Sequence, residues 1–293
     1  MSSLQKDKQE ASRKAKMDQQ DIDIKERLGH IKNKILVMSG KGGVGKSSVA
    51  AYLAVSLAKR GWNVGLMDVD LHGPSIPRML GLKGELSPGG PGKAHPVKYL
   101  PNMEVMSIEV LMGDKDAATI WRGPLKGGII RQFISDIEWM DLDFLIIDSP
   151  PGTGDEPLTV AQTIHDARAL IVTTPQEVSL ADVRKSINFC RQVKMEILGV
   201  VENMSGLRCP HCGAMIDLFK SQGGVLTAKR ENLRLLGRLP LDPEVVKSGD
   251  AGVTRILEEE DSDFSRAFKE LVEGVEKALA PGDVPGRAEG AAG

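Results

Sequence analysis

The stretch Gly-Lys-Gly-Gly-Val-Gly-Lys-Ser, residues 40–47, decides the fold of this chain. An apolar run of strand character, 34–39, precedes it, and a helical pattern with apolar residues on one stripe follows over 46–60. Glycines let the backbone bend tightly and aim its N–H groups at phosphate oxygens, and the positive end of the next helix adds to this attraction. The strand–loop–helix order therefore predicts a nucleotide phosphate site in an α/β fold.

The residue types within this P-loop predict separate tasks in binding ATP and Mg²⁺. Lys46 is expected to bridge the β- and γ-phosphates, and Ser47 to bind Mg²⁺. A second lysine, Lys41, stands near the start of the loop, where most P-loops have none. Lys41 is interpreted as a further nucleotide-binding residue, with an ordinary exposed lysine as the alternative. The other loop positions expected to hold the nucleotide are Gly40, Gly42, Gly43, Val44, Gly45 and Ser48.

Acidic residues end two of the predicted strands. Asp148 ends a predicted buried strand that begins at Asp143 and is apolar over 144–147, and it stands where a carboxylate can hold Mg²⁺ through water. Asp68 and Asp70 close the strand that begins at Asn63, and Asp68 is interpreted as a structural or metal-side partner. Each of these carboxylates, taken alone, is also explained as a strand-end cap.

Strands and helices alternate along the rest of the chain, which predicts a doubly wound, mainly parallel sheet flanked by helices. The remaining predicted strands cover 103–108, 168–173, 197–202 and 233–239, and the predicted helices cover 125–139, 156–166, 180–194, 222–230 and 259–279. We therefore expect one P-loop ATPase domain over 31–280, with a long loop at 82–101. Residues 1–30 are expected to form a polar charged arm with some helical character, and 281–293 a flexible tail.

Composition and charge exclude several classes of protein. The net charge of −2 over 293 residues provides no global basic field that would attract nucleic acid or acidic membranes. No run of about 18 apolar residues is present, and the N-terminus lacks the apolar core of a secretory signal. Three cysteines are too few for a disulfide framework and suit a reducing compartment. We therefore expect a cytoplasmic location, with no nucleic-acid or membrane partner.

Residues 209–213, Cys-Pro-His-Cys-Gly, have the spacing of a metal-binding loop in which two thiolates face one ion. One such loop supplies two ligands, whereas Zn²⁺ and iron–sulfur clusters usually take four. Cys190 lies on an apolar helix stripe and is expected in the core. The missing ligands most simply come from a second copy of the chain. Local chemistry suits Zn²⁺ and a [4Fe–4S] cluster equally well, and it leaves a redox dithiol or an inert pair as alternatives.

Taken together, the motifs resemble one family. Lys41 is similar to the extra lysine of the deviant Walker A ATPases, which include MinD, ParA and the nitrogenase iron protein. The other matching segments are 68–77, 122–126, 148–155, 174–177, 202–206 and 209–213. In this order, over about 30–280, they resemble the Mrp/ApbC family of iron–sulfur cluster carrier ATPases.

This resemblance implies a homodimer that carries a [4Fe–4S] cluster between two pairs of Cys209 and Cys212. The cluster would pass to apo iron–sulfur client proteins, with scaffold proteins as further partners and ATP driving loading or release. Lys41 is implied to reach the nucleotide of the partner subunit, and Asp70 to orient the attacking water.

The resemblance also implies a site for the base. Asn203 would read the adenine edge and Pro240 would line the same pocket, although an Asn after a strand is equally explained as a turn residue. The chain departs from some relatives, because residues 1–30 are too short for an extra domain and contain no cysteine. A MinD- or ParA-like positioning ATPase with a structural zinc Cys₄ site is the alternative function, which the acidic stretch 258–261 disfavours.

Overall fold

A computed structural model describes residues 3–70, 73–112, 123–209, 211–218, 222–258 and 262–280. Its strands are β1 (Ile31–Ser39), β2 (Val64–Asp68), β3 (Ser87–Pro88), β4 (Ala94–His95), β5 (Val97–Leu100), β6 (Met103–Ser107), β7 (Leu142–Asp148), β8 (Arg168–Thr173), β9 (Glu196–Glu202), β10 (Leu207–Arg208), β11 (Met215–Ile216) and β12 (Leu235–Arg238). Its helices are α1 (Ser3–Gly29), α2 (Lys46–Lys59), α3 (Ile76–Met79), α4 (Ile108–Met112), α5 (Gly123–Ser135), α6 (Asp155–Thr163), α7 (Glu177–Gln192), α8 (Gly223–Arg230), α9 (Pro243–Asp250) and α10 (Asp263–Leu279), with a 3₁₀ turn at Arg255–Glu258. The predicted start of the last helix at 259–261 and the predicted tail at 281–293 lie outside the described residues.

Eight of these strands form one sheet in the order β12-β9-β8-β1-β7-β2-β6-β5. Neighbouring strands are parallel except at one edge, where β5 runs antiparallel to β6. Parallel strands bring their carboxyl ends to the same edge of a sheet, so the loop after β1 meets the ends of β2 and β7 there. The predicted doubly wound α/β architecture is confirmed.

Helices cover both faces of the sheet and make two core layers. In β1, Ile35 and Val37 pack in the layer that contains α2 and α10, whereas Leu36 and Met38 pack in the layer that contains α5, α6 and α7. Because both faces are buried, the central strands contain continuous apolar runs, such as 35–38 in β1 and 144–147 in β7, rather than alternating ones. Cys190 on α7 is fully buried in the second layer, as its stripe predicts.

The N-terminal segment is a helix whose last turns pack on the domain. α1 ends at Gly29 and lies against α5, with Ile24 buried in the second core layer. Arg27 pairs with Glu138 at 3.3 Å. Ion pairs and a few apolar residues hold this helix on the domain. Its sequence therefore has little of the apolar periodicity from which packing against the domain could be predicted. It is a polar helix, and none of the described helices is long and apolar enough to cross a membrane.

The stretch 82–101 contains more structure than the predicted loop. β3 and β4 pair as a short antiparallel hairpin, and β5 extends the main sheet beside β6. The helix predicted over 125–139 ends at Ser135, because the chain after it hydrogen-bonds with Ala94 instead. Residues distant in sequence thus decide where this helix ends.

Candidate nucleotide site and cysteine loop

The P-loop leads from β1 into α2, and two of its glycines occupy places that a side chain would clash with. A Cβ on Gly40 would lie 2.2 Å from the backbone carbon of Asp182 in α7. Gly45 has φ 78°, and a Cβ there would lie 2.3 Å from Nδ2 of Asn203. Close packing on both sides therefore fixes the path of the loop. The first amides of α2 have no helical acceptors and are free for phosphate oxygens.

Lys46 and Asp148 form a buried ion pair behind the loop. Nζ of Lys46 lies 2.5 Å from Oδ1 of Asp148 and donates to Oγ of Ser47 at 3.1 Å. The other oxygen of Asp148, Oδ2, is buried and has no hydrogen-bond partner within the described ranges. A buried carboxylate oxygen without a partner, close to a hydroxyl, is an oxygen-rich setting that suits Mg²⁺ directly or through water. Ser47 and Asp148 therefore fit the ion that a P-loop implies.

Asp68 lies beside Asp148 because β2 and β7 pair in register at these two residues. Oδ1 of Asp68 accepts from the N–H of Asp70 at 3.0 Å, and Oδ2 accepts from Oγ of Ser107 at 3.2 Å. Burial, with the charge of Asp148, raises the pKa of Asp68 well above its usual value. Burial also raises the pKa of Asp148, against the opposing effect of Lys46. Both Asp68 oxygens are thus bonded inside the protein, and Ser107 is a site residue that the sequence pattern did not single out.

Asp70 and Lys41 lie near these buried groups. Oδ1 of Asp70 accepts from the N–H of Gly73 at 3.3 Å. Its negative charge raises the pKa of both buried carboxylates, so it lies close to them. Nζ of Lys41 donates to Oε1 of Gln176 in the same chain at 3.1 Å. The water-orienting role of Asp70 and the role of Lys41 in a partner subunit stay predictions.

A cavity of about 300 Å³ lies beside the P-loop, and its lining includes residues predicted to hold the base. The predicted nucleotide-binding residues that line it are Gly45, Ser48, Asn203 and Pro240. The rest of its lining includes Met79 of α3, Val245 of α9 and Phe264 of α10. These three come from helices that no sequence motif connected with the nucleotide; only the sheet topology brings them here.

The side chain of Asn203 links this cavity to the P-loop. Its Nδ2 donates to the carbonyl of Val44 at 2.9 Å. That bond uses one of the two N–H donors of the amide, and Oδ1 is available as an acceptor. An acceptor matches the exocyclic amine of adenine rather than the exocyclic oxygen of guanine. Val44 itself is buried, whereas Gly42 and Gly43 are exposed at the tip of the loop.

Cys209 and Cys212 lie in the turn between β10 and β11. The N–H of Cys209 donates to the carbonyl of Ala214 at 2.8 Å, and the N–H of Gly213 donates to the carbonyl of Cys209 at 2.9 Å. Gly213 has φ 73°, a turn conformation that favours glycine. Hydrogen bonds from the backbone N–H groups of Cys212 and His211 lower the pKa of the Cys209 thiol. These donors stabilise a thiolate, which is the form that binds metal.

The cysteine loop presents two thiols near the surface of the chain. Cys212 is exposed and Cys209 is partly exposed, whereas Cys190 is buried in the core. In the part of the chain that the structure describes, no group of three or more Cys, His, Asp or Glu side chains is placed to hold a metal ion. A tetrahedral metal or a four-thiolate cluster at this loop would therefore need ligands from beyond the described residues of this chain.

A second cavity, of about 770 Å³, lies between the cysteine loop and helices α9 and α10, and Cys209 is part of its lining. Pro240, Leu241 and Asp242 line this cavity and also line the cavity beside the P-loop. The nucleotide site and the cysteine loop are therefore neighbours that share one segment of chain as a wall.

Comparison with known proteins places the chain among iron-transfer ATPases. It matches the family model described as NUBPL iron-transfer P-loop NTPase over residues 30–276. An iron–sulfur cluster carrier protein of Methanocaldococcus jannaschii is 45% identical over 261 residues, which cover 88% of this chain and 90% of that protein. The cytosolic Fe-S cluster assembly factor CFD1 of Saccharomyces cerevisiae is 46% identical over 239 residues, which cover 79% of this chain and 82% of that protein.

Solved structures show the same fold. A nucleotide-binding protein of Archaeoglobus fulgidus, in complex with ADP, is 42% identical with a TM-score of 0.72, and the match covers 85% of this chain and 96% of that one. The cell division ATPase MinD of Pyrococcus furiosus is 24% identical with a TM-score of 0.60, and the match covers 85% and 99% of the two chains. At that identity the likeness to MinD concerns the fold alone.

Proposed function

This chain belongs to the family of NUBPL iron-transfer P-loop NTPases, and we propose that it is an ATP-hydrolysing carrier of [4Fe–4S] clusters. Two copies of the chain would hold the cluster between them and pass it to apoproteins. One observation carries this proposal: a P-loop with a buried Lys–Asp pair and a two-cysteine half-site share a wall within one domain. The likeness to an archaeal iron–sulfur cluster carrier and a yeast Fe-S cluster assembly factor supports it.

A second copy of the chain is the partner that we propose for the exposed side of the cysteine loop. Cys209 and Cys212 supply two thiolates, and a [4Fe–4S] cluster takes four. Shortly after the loop, Met215, Ile216 and Leu218 are 57%, 40% and 51% exposed. Large exposed apolar side chains beside an incomplete metal site favour burial against a partner. Two facing copies would complete the thiolate set and cover these side chains.

Lys46 would hold the β- and γ-phosphates of ATP, moving its Nζ away from Asp148. Ser47 and Asp148 would then hold Mg²⁺, which when bound neutralises charge on the phosphates. The second oxygen of Asp148, without a partner among the described residues, supports this assignment. Asp68, bonded on both oxygens, would keep Asp148 and the loop of Asp70 in position.

Hydrolysis would need two further groups at the mouth of the site. Asp70 would orient the attacking water, and its closeness to the buried carboxylates supports that role. Lys41 would leave Gln176 and reach the nucleotide of the partner subunit, so that dimerisation and hydrolysis depend on each other. The bond from Lys41 to a neutral amide oxygen supports this exchange, since it is easily replaced by a bond to phosphate.

Asn203 and Pro240 would hold the adenine in the smaller cavity. The bond from Nδ2 of Asn203 to the P-loop orients the amide, and its Oδ1 supports adenine as the base because it can accept from the adenine amine. Apo iron–sulfur client proteins and scaffold proteins would be the partners, in the cytoplasm, since the yeast relative CFD1 is a cytosolic assembly factor. The net charge of −2 supports the absence of nucleic-acid or membrane partners.

Anaerobic reconstitution with ferrous iron and sulfide tests the proposal. We expect a brown protein that absorbs near 400 nm and holds about four irons and four acid-labile sulfides per dimer. Cys209→Ala with Cys212→Ala should lose both iron and sulfide and remain folded. Cys190→Ala is the matched control, since Cys190 is buried in the core and should not affect cluster content.

Three results would contradict the carrier. If the double variant retains a stoichiometric cluster, Cys209 and Cys212 are not its ligands. The reconstituted protein could remain a single subunit with full iron and sulfide. A colourless dimer holding one Zn²⁺ and no iron would favour the positioning ATPase with a structural zinc site.

A further inference from the structure

We propose that the nucleotide site and the cysteine loop are coupled within a single subunit by residues 202–208, named here the coupling arm. The arm runs from the end of β9 to the residue before Cys209, and segment 240–242 pairs with it. This inference rests on the proposed function and adds a route between the two sites that needs no partner subunit.

The first residues of the arm contact the nucleotide site. Asn203 donates to the P-loop carbonyl of Val44 and, with Met204, lines the cavity beside the loop. Met204 has φ 57°, a left-handed conformation that is uncommon for a residue with a side chain. Surrounding contacts must hold such a residue in place, and segments that switch between states often contain one. A base that enters the cavity therefore meets a bend that is already under constraint.

A polar network holds the middle of the arm. Oγ of Ser205 donates to Oε1 of Glu202 at 2.6 Å and accepts from a terminal nitrogen of Arg238 at 3.0 Å. Glu202 is buried and also accepts from Nε of Arg238 at 3.0 Å and from the N–H of Gly224 at 2.6 Å. Moving Ser205 alone would leave a buried carboxylate short of donors, which is costly. Glu202, Ser205 and Arg238 therefore form one hydrogen-bonded unit that resists movement of Ser205 alone.

The last residues of the arm hold the cysteine loop. The N–H of Leu241 donates to the carbonyl of Gly206 at 2.8 Å, and Leu207 pairs with Leu241 in an isolated parallel bridge. Cys209 follows closely, and segment 240–242 forms the wall of both cavities. A change in either cavity therefore acts on the backbone that places Cys209.

The coupling follows from this continuity of bonds. A nucleotide in the small cavity would fix the bend at Met204, and the network around Ser205 would pass that restraint to the strand pair that carries Cys209. Linkage is reciprocal, so a cluster on Cys209 and Cys212 would change nucleotide affinity by the same factor. Ser205, Glu202 and Arg238 are positioning residues in this scheme, because they touch neither nucleotide nor cluster ligand.

Hydrogen–deuterium exchange on the metal-free chain tests the coupling without a cluster. The chain is compared with and without ADP and Mg²⁺, at a concentration where size exclusion gives a single subunit. We expect ADP to slow exchange in the P-loop and, by about fivefold or more, at the amides of Cys209 and Gly213, which is the lower end of coupling between protein sites. Exchange at these amides reports on the bonds that close the cysteine turn.

Ser205→Ala removes the hydroxyl at the centre of the network. In this variant ADP should still protect the P-loop. The exchange rates at the cysteine turn should then be the same with and without ADP. Ser205→Thr keeps a hydroxyl and should restore the effect, and Arg238→Lys should give an intermediate one. Thr159→Ala is the control, since it deletes a hydroxyl bond to the carbonyl of Asp155 on α6, outside the arm.

Each contrary result has a distinct meaning. If ADP protects the P-loop of the unaltered chain but does not change exchange at the cysteine turn, the coupling is overturned. The carrier function would still stand. A full effect in Ser205→Ala overturns the route through the arm. Failure to bind ADP overturns both the coupling and the proposed function, whereas failure to take up iron and sulfide counts against the proposed function alone.

Discussion

The P-loop and the cysteine loop differ in how much of each site one chain supplies. The P-loop follows the central strand β1, and its lysine is already paired with a buried carboxylate at 2.5 Å. The cysteine loop connects two strands of two residues each and holds both its thiols at least partly exposed. The phosphate loop is thus fixed by close packing at the sheet edge, whereas the two thiols are presented near the surface in a short hairpin.

The same difference explains how each site is stabilised. Buried strands and close-packed glycines fix the P-loop before any ligand arrives, which is the preorganisation that phosphoryl transfer requires. Backbone N–H groups and one left-handed glycine fix the cysteine loop locally, without the packing that surrounds the P-loop. Four predictions test how far the two regions are independent.

The largest effect is expected from Lys46→Ala. Removing the cation should lower ATP hydrolysis by about 10²–10³-fold, as for other groups that stabilise transition-state charge. It should leave iron and sulfide content close to that of the unaltered protein, because Lys46 is not part of the cysteine loop. Lys59→Ala, at the exposed end of the same helix, is the control and should keep its activity. Loss of the cluster in Lys46→Ala would show that the two sites are not separable.

A pair of glycine substitutions compares the two loops directly. Gly45 and Gly213 both have positive φ, but a Cβ on Gly45 would meet Asn203 at 2.3 Å, whereas one on Gly213 would meet nothing within 4 Å. Gly45→Ala should therefore lose about 1–3 kcal/mol of unfolding free energy and bind ADP poorly. Gly213→Ala should lose about 1 kcal/mol and bind ADP normally. Urea unfolding and ADP titration measure both; equal losses would remove the distinction between a packed loop and an open one.

Asn203→Ala is expected to weaken ADP binding about tenfold, since it removes one hydrogen bond of typical net strength and its acceptor for the base. Isothermal titration with ADP and with GDP measures the effect, and the preference for ADP should shrink. Asn33→Ala deletes a comparable bond to the carbonyl of Asp143 at the far end of β1 and serves as the control. Unchanged ADP affinity in Asn203→Ala would mean that Asn203 is only a turn residue.

The smallest effect concerns the thiols of the metal-free protein. Backbone N–H bonds lower the pKa of Cys209 below its ordinary 9.0, so its thiolate forms at lower pH and alkylation by iodoacetamide should rise through a midpoint below 9.0. Burial raises the pKa of Cys190 to about 12, so Cys190 should stay unmodified over the same range. Mass spectrometry of the alkylated peptides measures both rates. A Cys209 midpoint at or above 9.0 would remove the argument for a preorganised thiolate.

Motifs that lie within a few consecutive residues were predictable from the sequence. The P-loop, the Cys209–Cys212 pair and the buried strand before Asp148 each depend on local spacing, and the structure places them as strand, loop and helix order requires. The alternation of strands and helices was enough for the α/β architecture, and the matching family model and relatives confirm the predicted resemblance to iron–sulfur cluster carriers. Local spacing is sufficient in these cases because a phosphate loop or a thiol pair is formed by residues that are close together in the sequence.

Contacts between distant parts of the chain were decided only by the tertiary structure. The bond from Ser107 to Asp68, the lining of the base cavity by α3 and α9, and the wall shared by 240–242 all depend on strand order and register. The docking of α1 on α5 is also of this kind, since ion pairs between distant residues leave no periodic pattern in the sequence. The sequence by itself thus determined which chemical groups this protein carries, and packing of the sheet and its helices decided which of those groups face one another.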